Sequence, residues 1–199
     1  MAQEIEIHGP IKDEAAISNK IKEILGNDEA ITSIHQVAIF FKYEGATPVV
    51  RWTDGQESFE FLYKRKLKKE GGLSVREELT TYVPKTECEN FLQIMSRLGL
   101  EKGLVSPATR FEFVKNQIEW SFKLNTQIGN YWEAEAMPTM LKELHNDSDG
   151  VLDKLREAAS IYNLEVWSED QFRQHYKKAW EGIEPESMEK IIKKLINRK

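Results

Sequence analysis

The chain has 199 residues, of which 40% are hydrophobic, and its 28 basic and 33 acidic residues give a formal net charge of −5. This length and apolar content predict one domain with its own core, and the negative charge argues against sequence-specific nucleic acid binding. The single cysteine, Cys88, excludes an internal disulfide framework and a multi-cysteine zinc site.

The sequence carries no pattern that points to a membrane. No stretch approaches the roughly 20 apolar residues of a membrane span. The first residues, MAQEIEIHG, lack the basic and apolar regions of a signal peptide. We therefore expect a cytoplasmic protein without a membrane partner.

The first predicted element is a helix over 11–25, for which Asp13 is a suitable N-cap and Gly26 a suitable end. Period-two alternation then predicts strands over 33–83 and 110–136.

A second helix is predicted between the two strand-rich stretches, over 85–98. The capping box Thr86-x-x-Glu89 opens it and Gly99 ends it.

After Pro138 the pattern is helical. Helices are predicted over 151–159, 168–180 and 185–196, and the second opens with a capping box, Ser168-x-x-Gln171. The predicted class is therefore α+β.

We assign 1–180 to one domain and 181–199 to a C-terminal helix that extends the same domain. Basic residues alternate with apolar ones in this last helix, so it either docks on the domain or forms a homodimer.

Each predicted strand has one apolar and one polar series of alternate residues. The apolar series is Ile5/Ile7, Val50/Trp52, Phe59/Phe61/Tyr63, Phe111/Phe113, Ile118/Trp120/Phe122/Leu124 and Trp132/Ala134. The opposite series is Glu4/Glu6/His8, Arg51/Thr53, Leu62/Lys64/Lys66, Arg76/Glu78/Thr80, Arg110/Glu112, Glu119/Ser121/Lys123 and Glu133/Glu135. The apolar face must be buried, and the polar face must be hydrated or filled by a ligand.

Two folds satisfy this pattern. One is an antiparallel sheet with helices on one face and water on the other. The other is a closed antiparallel β-barrel, in which the apolar face lies outward beneath helices and the charged face lines a tunnel. Long basic residues and paired carboxylates favour the second, so we predict a closed barrel with a charged interior.

The polar face contains two Glu-x-Glu pairs. Residues two apart on a strand point the same way, so Glu4 and Glu6 are neighbouring carboxylates, as are Glu133 and Glu135. Neighbouring carboxylates repel each other unless a cation holds them, which makes all four predicted ligands of Mg²⁺ or Mn²⁺. Basic residues of the same face would bind phosphate: Arg51, Lys64, Lys66, Arg76, Arg110 and Lys123.

Several segments resemble motifs of the CYTH superfamily, the triphosphate tunnel metalloenzymes. Glu4-Ile5-Glu6-Ile7-His8 is similar to the family's opening Glu-x-Glu-x-Lys, and Val50-Arg51-Trp52-Thr53 to its Leu-Arg-x-Arg strand. Its later motifs resemble Tyr63-Lys64, Arg76-Glu77-Glu78, Ala108-Thr109-Arg110 and Ile128-Gly129-Asn130-Tyr131-Trp132-Glu133-Ala134-Glu135. The resemblance covers nearly the whole chain except the last twenty or so residues.

This family includes class IV adenylate cyclases, thiamine triphosphatases and inorganic triphosphatases. The resemblance implies metal-dependent hydrolysis of a small-molecule triphosphate or polyphosphate, with Glu6 and His8 as catalytic residues. The two Glu-x-Glu pairs would bind the metal, and Arg51, Lys64, Arg76 and Arg110 the triphosphate. A polyphosphate or nucleotide binder without turnover and a class IV adenylate cyclase are the alternatives.

Four positions depart from the family's pattern. His8 and Ala108 replace lysines, Thr53 replaces an arginine and Lys123 stands where the family has an aspartate. Because a histidine is mostly neutral near pH 7, His8 removes a permanent charge from the phosphate site. Lys123 removes a metal ligand and adds an anion contact. These changes keep the binder without turnover as an open alternative.

Overall fold

The computed structural model describes residues 2–26, 31–70, 73–145 and 147–198. The side chains at 2–4, 66–70, 73–76 and 179 lie outside this description. Within the described ranges, ten strands form one sheet with antiparallel pairing, and six α-helices accompany it. The predicted α+β class is confirmed.

The strand order of the sheet is β1-β6-β5-β4-β3-β7-β8-β9-β2, with β10 paired to β7. The strands are β1 (Ala2–Glu4), β2 (Glu6–Pro10), β3 (Ile34–Phe41), β4 (Ala46–Thr53), β5 (Ser58–Glu70), β6 (Leu73–Pro84), β7 (Lys102–Lys115), β8 (Ile118–Leu124), β9 (Tyr131–Ala136) and β10 (Glu186–Ser187).

The sheet is curled, and the prediction of a closed barrel is wrong. β1 pairs with β6 and β2 pairs with β9, so the two ends of the strand order belong to consecutive pieces of one N-terminal segment. These pieces are separated only by Ile5, whose carbonyl accepts a hydrogen bond from the N–H of Ala136. Within the described residues β1 pairs with β6 and β2 pairs with β9, but no ladder of hydrogen bonds joins β1 to β2. The sheet therefore does not close into a barrel.

One apolar core lies between helices and the strands β2, β8 and β9. Trp120, Phe122 and Trp132 are at most 1% exposed and form its centre. The helices that cover it are α1 (Ile17–Leu25), α3 (Pro138–Glu143) and α4 (Ser148–Ile161). The burial of alternate residues confirms the apolar face predicted for these strands.

A second apolar core lies against β3, β4 and β5. Val50, Trp52 and Phe59 of the strands pack there with α2 (Cys88–Arg97) and α6 (Met188–Ile196). Because Met188, Ile191 and Leu195 of α6 are buried in it, the last helix docks on the core of the domain. Formation of a homodimer stays a prediction.

Two predicted helix N-caps are not observed, and the helix predicted over 185–196 begins only at Met188, after the strand β10. α1 begins at Ile17, and Asp13 instead accepts a hydrogen bond from the N–H of Ala15 at 2.9 Å in the preceding turn. A 3₁₀ turn, Lys85–Glu87, precedes α2, so Thr86 makes no cap. The predicted end of α1 is confirmed, since Gly26 has the left-handed φ of 73° that favours glycine.

The capping box predicted at Ser168 is confirmed. It opens α5 (Glu169–Glu181): the Ser168 hydroxyl accepts from the N–H of Gln171 at 3.2 Å, and the Gln171 side chain accepts from the N–H of Ser168 at 2.8 Å. α5 belongs to neither apolar core. Among the described helices, none combines the length and apolarity needed to cross a membrane.

Candidate functional site

The polar face of the curled sheet lines a cavity of about 600 Å³. All eight strands from β2 to β9 contribute alternate residues to it, because residues two apart on a strand face the same side. Its ionisable residues are Glu6, His8, Arg51, Glu60, Lys64, Glu78, Tyr82, Arg110, Glu119, Lys123, Tyr131, Glu133, Glu135, Glu169, Arg173 and Tyr176. The volume lies within the range of small-molecule sites, roughly 300–1,000 Å³.

Most of the residues predicted to form the site meet in this cavity. These are Glu6, His8, Arg51, Lys64, Arg110, Lys123, Glu133 and Glu135. The side chains of Glu4, Lys66 and Arg76 lie outside the described residues, although the backbone pairs Arg76 with both Glu4 and Lys66.

His8 lies between two predicted carboxylate ligands. Its Nε2 atom is 3.4 Å from Oε1 of Glu6 and 3.6 Å from Oε1 of Glu133. The β2–β9 register places His8 directly opposite Glu133, and Glu6 opposite Glu135. All three side chains of the His8 cluster, Glu6, His8 and Glu133, are less than 20% exposed.

The His8 cluster can hold one divalent cation. Its three potential ligand atoms all lie within 4.8 Å of one another. Octahedral ions of the Mg²⁺ type hold their ligands at about 2.1 Å, which separates neighbouring ligand atoms by about 3 Å, so only a small closure is needed. Two carboxylates and an imidazole fit Mn²⁺ better than Mg²⁺, since Mg²⁺ prefers oxygen ligands.

Lys123 binds the other oxygen of Glu133. Its Nζ donates a hydrogen bond to Oε2 of Glu133, and both side chains are less than 20% exposed. Burial lowers the pKa of Lys123 to about 8, an effect that the Glu133 carboxylate opposes. Burial alone would raise the pKa of Glu133, but the cation of Lys123 holds it below its ordinary value. The Lys123 ammonium therefore already neutralises the Glu133 carboxylate.

Two further basic residues of the cavity, Arg51 and Lys64, pair with carboxylates on neighbouring strands. Arg51 contacts Glu60 at 2.9 Å, and Lys64 contacts Glu78 at 2.8 Å. Burial alone would raise the pKa of Glu78, but the charge and hydrogen bond of Lys64, together with Arg51 and Thr80, hold it below its ordinary value. These pairs fix the positions of Arg51 and Lys64 at the cavity wall.

Arg110 is the most deeply buried cation of the cavity, with 6% of its surface exposed. It forms an ion pair with Glu112 and donates a hydrogen bond to Oε1 of Gln36 at 2.7 Å. Burial, followed by the repulsion of Arg51, lowers its pKa to about 10. Its Nε atom is buried and has no partner among the described residues, so it can still donate to a ligand.

The cavity as a whole carries more acidic than basic groups. Seven carboxylates line it, against five lysine and arginine side chains. A polyanion entering alone would therefore meet a net negative lining, and one divalent cation would neutralise that excess.

α5 forms one wall of the cavity. The ring of Phe172 stacks on His8, with ring centres 4.0 Å apart and planes inclined by 11°. Tyr176 and Trp180 follow at four-residue spacing and also line the cavity. This stack packs the imidazole of His8 against the helix.

Some cavity residues were not predicted. Glu60 has the same parity as Leu62 and Lys64, so extending the polar series of β5 by two residues would have identified it. Gln36 and the inward face of α5 depend on long-range packing, for which the sequence pattern carries no local signal.

No protein-family model and no curated protein sequence matches the chain. Solved structures do resemble it. The PH1012 protein from Pyrococcus horikoshii OT3 is 19% identical with a TM-score of 0.67, over 83% of this chain and 95% of that one.

Two further structures share the fold at similar coverage. A putative adenylyl cyclase from Hippeastrum, described as having a dominant triphosphatase activity, is 12% identical with a TM-score of 0.51, over 84% of this chain and 90% of that one. A chain of the Schizosaccharomyces pombe Mediator head module is 8% identical with a TM-score of 0.59, over 83% of this chain and 98% of that one. At these identities the likeness shows the fold alone, and the fold occurs both in a triphosphatase and in a component of Mediator.

Proposed function

We propose that this chain hydrolyses a triphosphate-bearing compound in the cavity, with a divalent cation held by Glu6, His8 and Glu133. One observation carries the proposal. Carboxylates from β2 and β9 line the same cavity as basic residues from β4, β5, β7 and β8. Cation ligands and phosphate ligands are thus combined in one small-molecule-sized space.

Arg51, Lys64 and Arg110 would bind the phosphate oxygens. An arginine has five N–H donors, so Arg51 and Arg110 retain donors beyond their present partners. The unpartnered Nε of Arg110 is the best candidate for a new hydrogen bond. Because the cavity is partly closed to water, each of these charge-assisted bonds would be stronger than at an open surface.

The reaction needs no side-chain nucleophile. A water oxygen attacks the terminal phosphorus, the bond to the bridging oxygen breaks, and inorganic phosphate leaves from a diphosphate-bearing product. When bound, the cation would neutralise phosphate charge and acidify a water molecule. His8 serves as a ligand, and Glu135, opposite Glu6 in the register, accepts the proton of the attacking water. Arg110 and Lys123 stabilise the negative charge that develops.

A binder without turnover is the second candidate, and the contact between Lys123 and Glu133 favours it. An ammonium that already neutralises Glu133 competes with a cation for that carboxylate. The occurrence of the same fold in Mediator also fits a role without catalysis. A class IV adenylate cyclase would use the same cavity but release cyclic AMP from ATP.

The test is phosphate release from tripolyphosphate, ATP and thiamine triphosphate, with MgCl₂ or MnCl₂, between pH 6 and 10. We expect turnover of at least one substrate and a loss of at least 100-fold in Glu6→Gln and Glu133→Gln, because each removes a cation ligand. Glu157→Gln, on the exposed face of α4, is the matched control and should keep full activity.

The other outcomes separate the candidates. Tight binding of a triphosphate without release of phosphate supports the binder. Cyclic AMP as the product of ATP supports the cyclase. Phosphate release that survives both cavity variants would show that a different site, or a contaminant, is responsible.

A further inference from the structure

One stretch of β6, residues 79–83, forms an open edge of the sheet. β6 pairs with β5 along its whole length, but β1 covers its other side only from Arg76 to Glu78. Among the described residues, no strand pairs with that side of residues 79–83. The backbone N–H and C=O groups that point to that side can therefore bind another strand.

The side chains of the open edge are uncharged and mostly exposed. Leu79 is 55% exposed and Tyr82 is 67% exposed. Thr80 and Thr81, between them, are exposed as well. Soluble proteins usually protect such an edge with charged side chains, a bulge or a proline inside the strand, but here Pro84 comes only after the open stretch. An unprotected edge of β-branched and aromatic residues is typical of a surface that pairs with a further strand.

Two features limit the open edge to five residues. At one end, Glu78 is already paired with Ala2 of β1. At the other end, Pro84 has no N–H to donate to a neighbouring strand. Antiparallel pairing of this edge with the same edge of a second copy can use all five residues only when Thr81 lies on the two-fold axis.

This pairing places favourable residues opposite each other at every position. With Thr81 opposite its own counterpart, Leu79 is opposite Val83 and Thr80 is opposite Tyr82. Pairs of apolar residues, pairs of threonines, and pairs of an aromatic with a β-branched residue all stabilise a sheet. No charged residue lies in the paired stretch, so the net charge of −5 on each copy brings no like charges into direct contact there. The open edge is thus complementary to itself.

We propose that two copies of this chain associate through the open edge of β6, with Thr81 at the two-fold axis. Thr80 and Tyr82 line the cavity. The pairing therefore places the partner's Tyr82 beside Thr80 at the rim of the cavity, so each copy contributes a residue to the other's site. This association does not depend on the reaction proposed above.

Sedimentation equilibrium of the whole chain, from nanomolar to high micromolar concentration, tests the association. Five paired residues bury little surface, so we expect a weak dimer. Thr81→Lys should raise the Kd of the dimer about fivefold or more, because two ammonium groups would lie opposite each other across the axis. Thr139→Lys in α3 is the matched control, since it adds the same charge at another exposed threonine and should leave the Kd unchanged.

Thr81→Glu tests the position of the two-fold axis. Alone, this variant should weaken the dimer as Thr81→Lys does. An equimolar mixture of the two variants should restore association, because an ammonium then lies opposite a carboxylate. Circular dichroism spectra equal to that of the wild type would show that both variants are folded.

Three results would overturn the inference. A wild-type protein that stays monomeric at every concentration would leave the open edge to a strand of a different protein. A dimer that Thr81→Lys does not weaken would use another surface, such as α6. A mixture of the two variants that stays monomeric would mean that Thr81 does not lie at the axis. None of these results changes the test of phosphate release, so the proposed function stands or fails separately.

Discussion

Lys123 stands where the resemblance placed an aspartate, and its ammonium now contacts a carboxylate that was predicted to bind metal. The β8–β9 register aligns Lys123 with Tyr131, and its Nζ reaches the neighbouring Glu133. A buried carboxylate destabilises the fold unless a cation neutralises it, and the Lys123 ammonium neutralises Glu133. The sequence indicated both residues, but their contact depends on the register of two strands.

Lys123→Met should therefore destabilise the protein in the absence of metal. Methionine fills a similar volume but leaves Glu133 buried without a cation, which costs about 3 kcal/mol of unfolding free energy. MnCl₂ should restore most of this loss, because the ion takes the place of the ammonium. Urea unfolding with EDTA or MnCl₂ measures both effects.

Lys193→Met is the control for that experiment. Its partner Glu189 lies four residues away on the same helix, and both side chains are more than 70% exposed, so the change in stability should be small and independent of Mn²⁺. Equal stability of Lys123→Met and the wild type in EDTA would contradict the assigned role of Lys123.

Cys88 should make unfolding depend on pH in the alkaline range. The side chain is 1% exposed, and burial raises its pKa from 9.0 to about 11. Between these values the unfolded chain has lost the thiol proton that the folded protein keeps, so stability falls as pH rises. We expect the wild type to lose about 1 kcal/mol more than Cys88→Ala between pH 8 and pH 10. Identical losses would show that the thiol titrates normally.

At the level of elements, two similar sequence patterns have different outcomes. Ser168-x-x-Gln171 forms its capping box, whereas Thr86-x-x-Glu89 does not, because a 3₁₀ turn comes before α2. There the Lys85 N–H donates to the Glu57 carbonyl and Lys85 Nζ to the Thr53 carbonyl. Such tertiary contacts override a local pattern that is otherwise reliable.

Mutating the first residue of each pattern to alanine compares the two helix starts directly. Ser168→Ala should cost about 1 kcal/mol, because the N–H of Gln171 loses its acceptor, and amide hydrogen exchange should become faster in α5. Thr86→Ala should leave exchange in α2 unchanged, since Thr86 caps nothing. If Ser168→Ala also left amide exchange in α5 unchanged, the aromatic contacts of α5 alone would account for its stability.

The strands show what sequence pattern predicts well and what it does not. Trp132 and Ala134 are fully buried while Glu133 lines the cavity, as period-two alternation requires. Alternation determines the face of a residue but not its partner across the sheet. The pairing of Lys64 with Glu78 and the stack of His8 on Phe172 depend on register and on helix docking, so neither was predictable.

At the scale of the whole molecule, charge sets a condition on binding. The chain has a net charge of −5, and carboxylates outnumber lysines and arginines in the cavity lining. Long-range attraction therefore does not bring a polyanion to this protein. A divalent cation in the His8 cluster would neutralise the acidic excess of the cavity lining.

Tripolyphosphate should accordingly raise the melting temperature only when a divalent cation is present. At a ligand concentration 100 times Kd, binding adds about 2.7 kcal/mol, or roughly 5–10 °C for a domain of this size. Thermal unfolding with tripolyphosphate should show this shift in MnCl₂, no shift in EDTA, and no shift for Glu6→Gln in either buffer. An equal shift in EDTA would mean that basic residues bind the phosphates without help, and that the carboxylates of β2 and β9 serve another purpose.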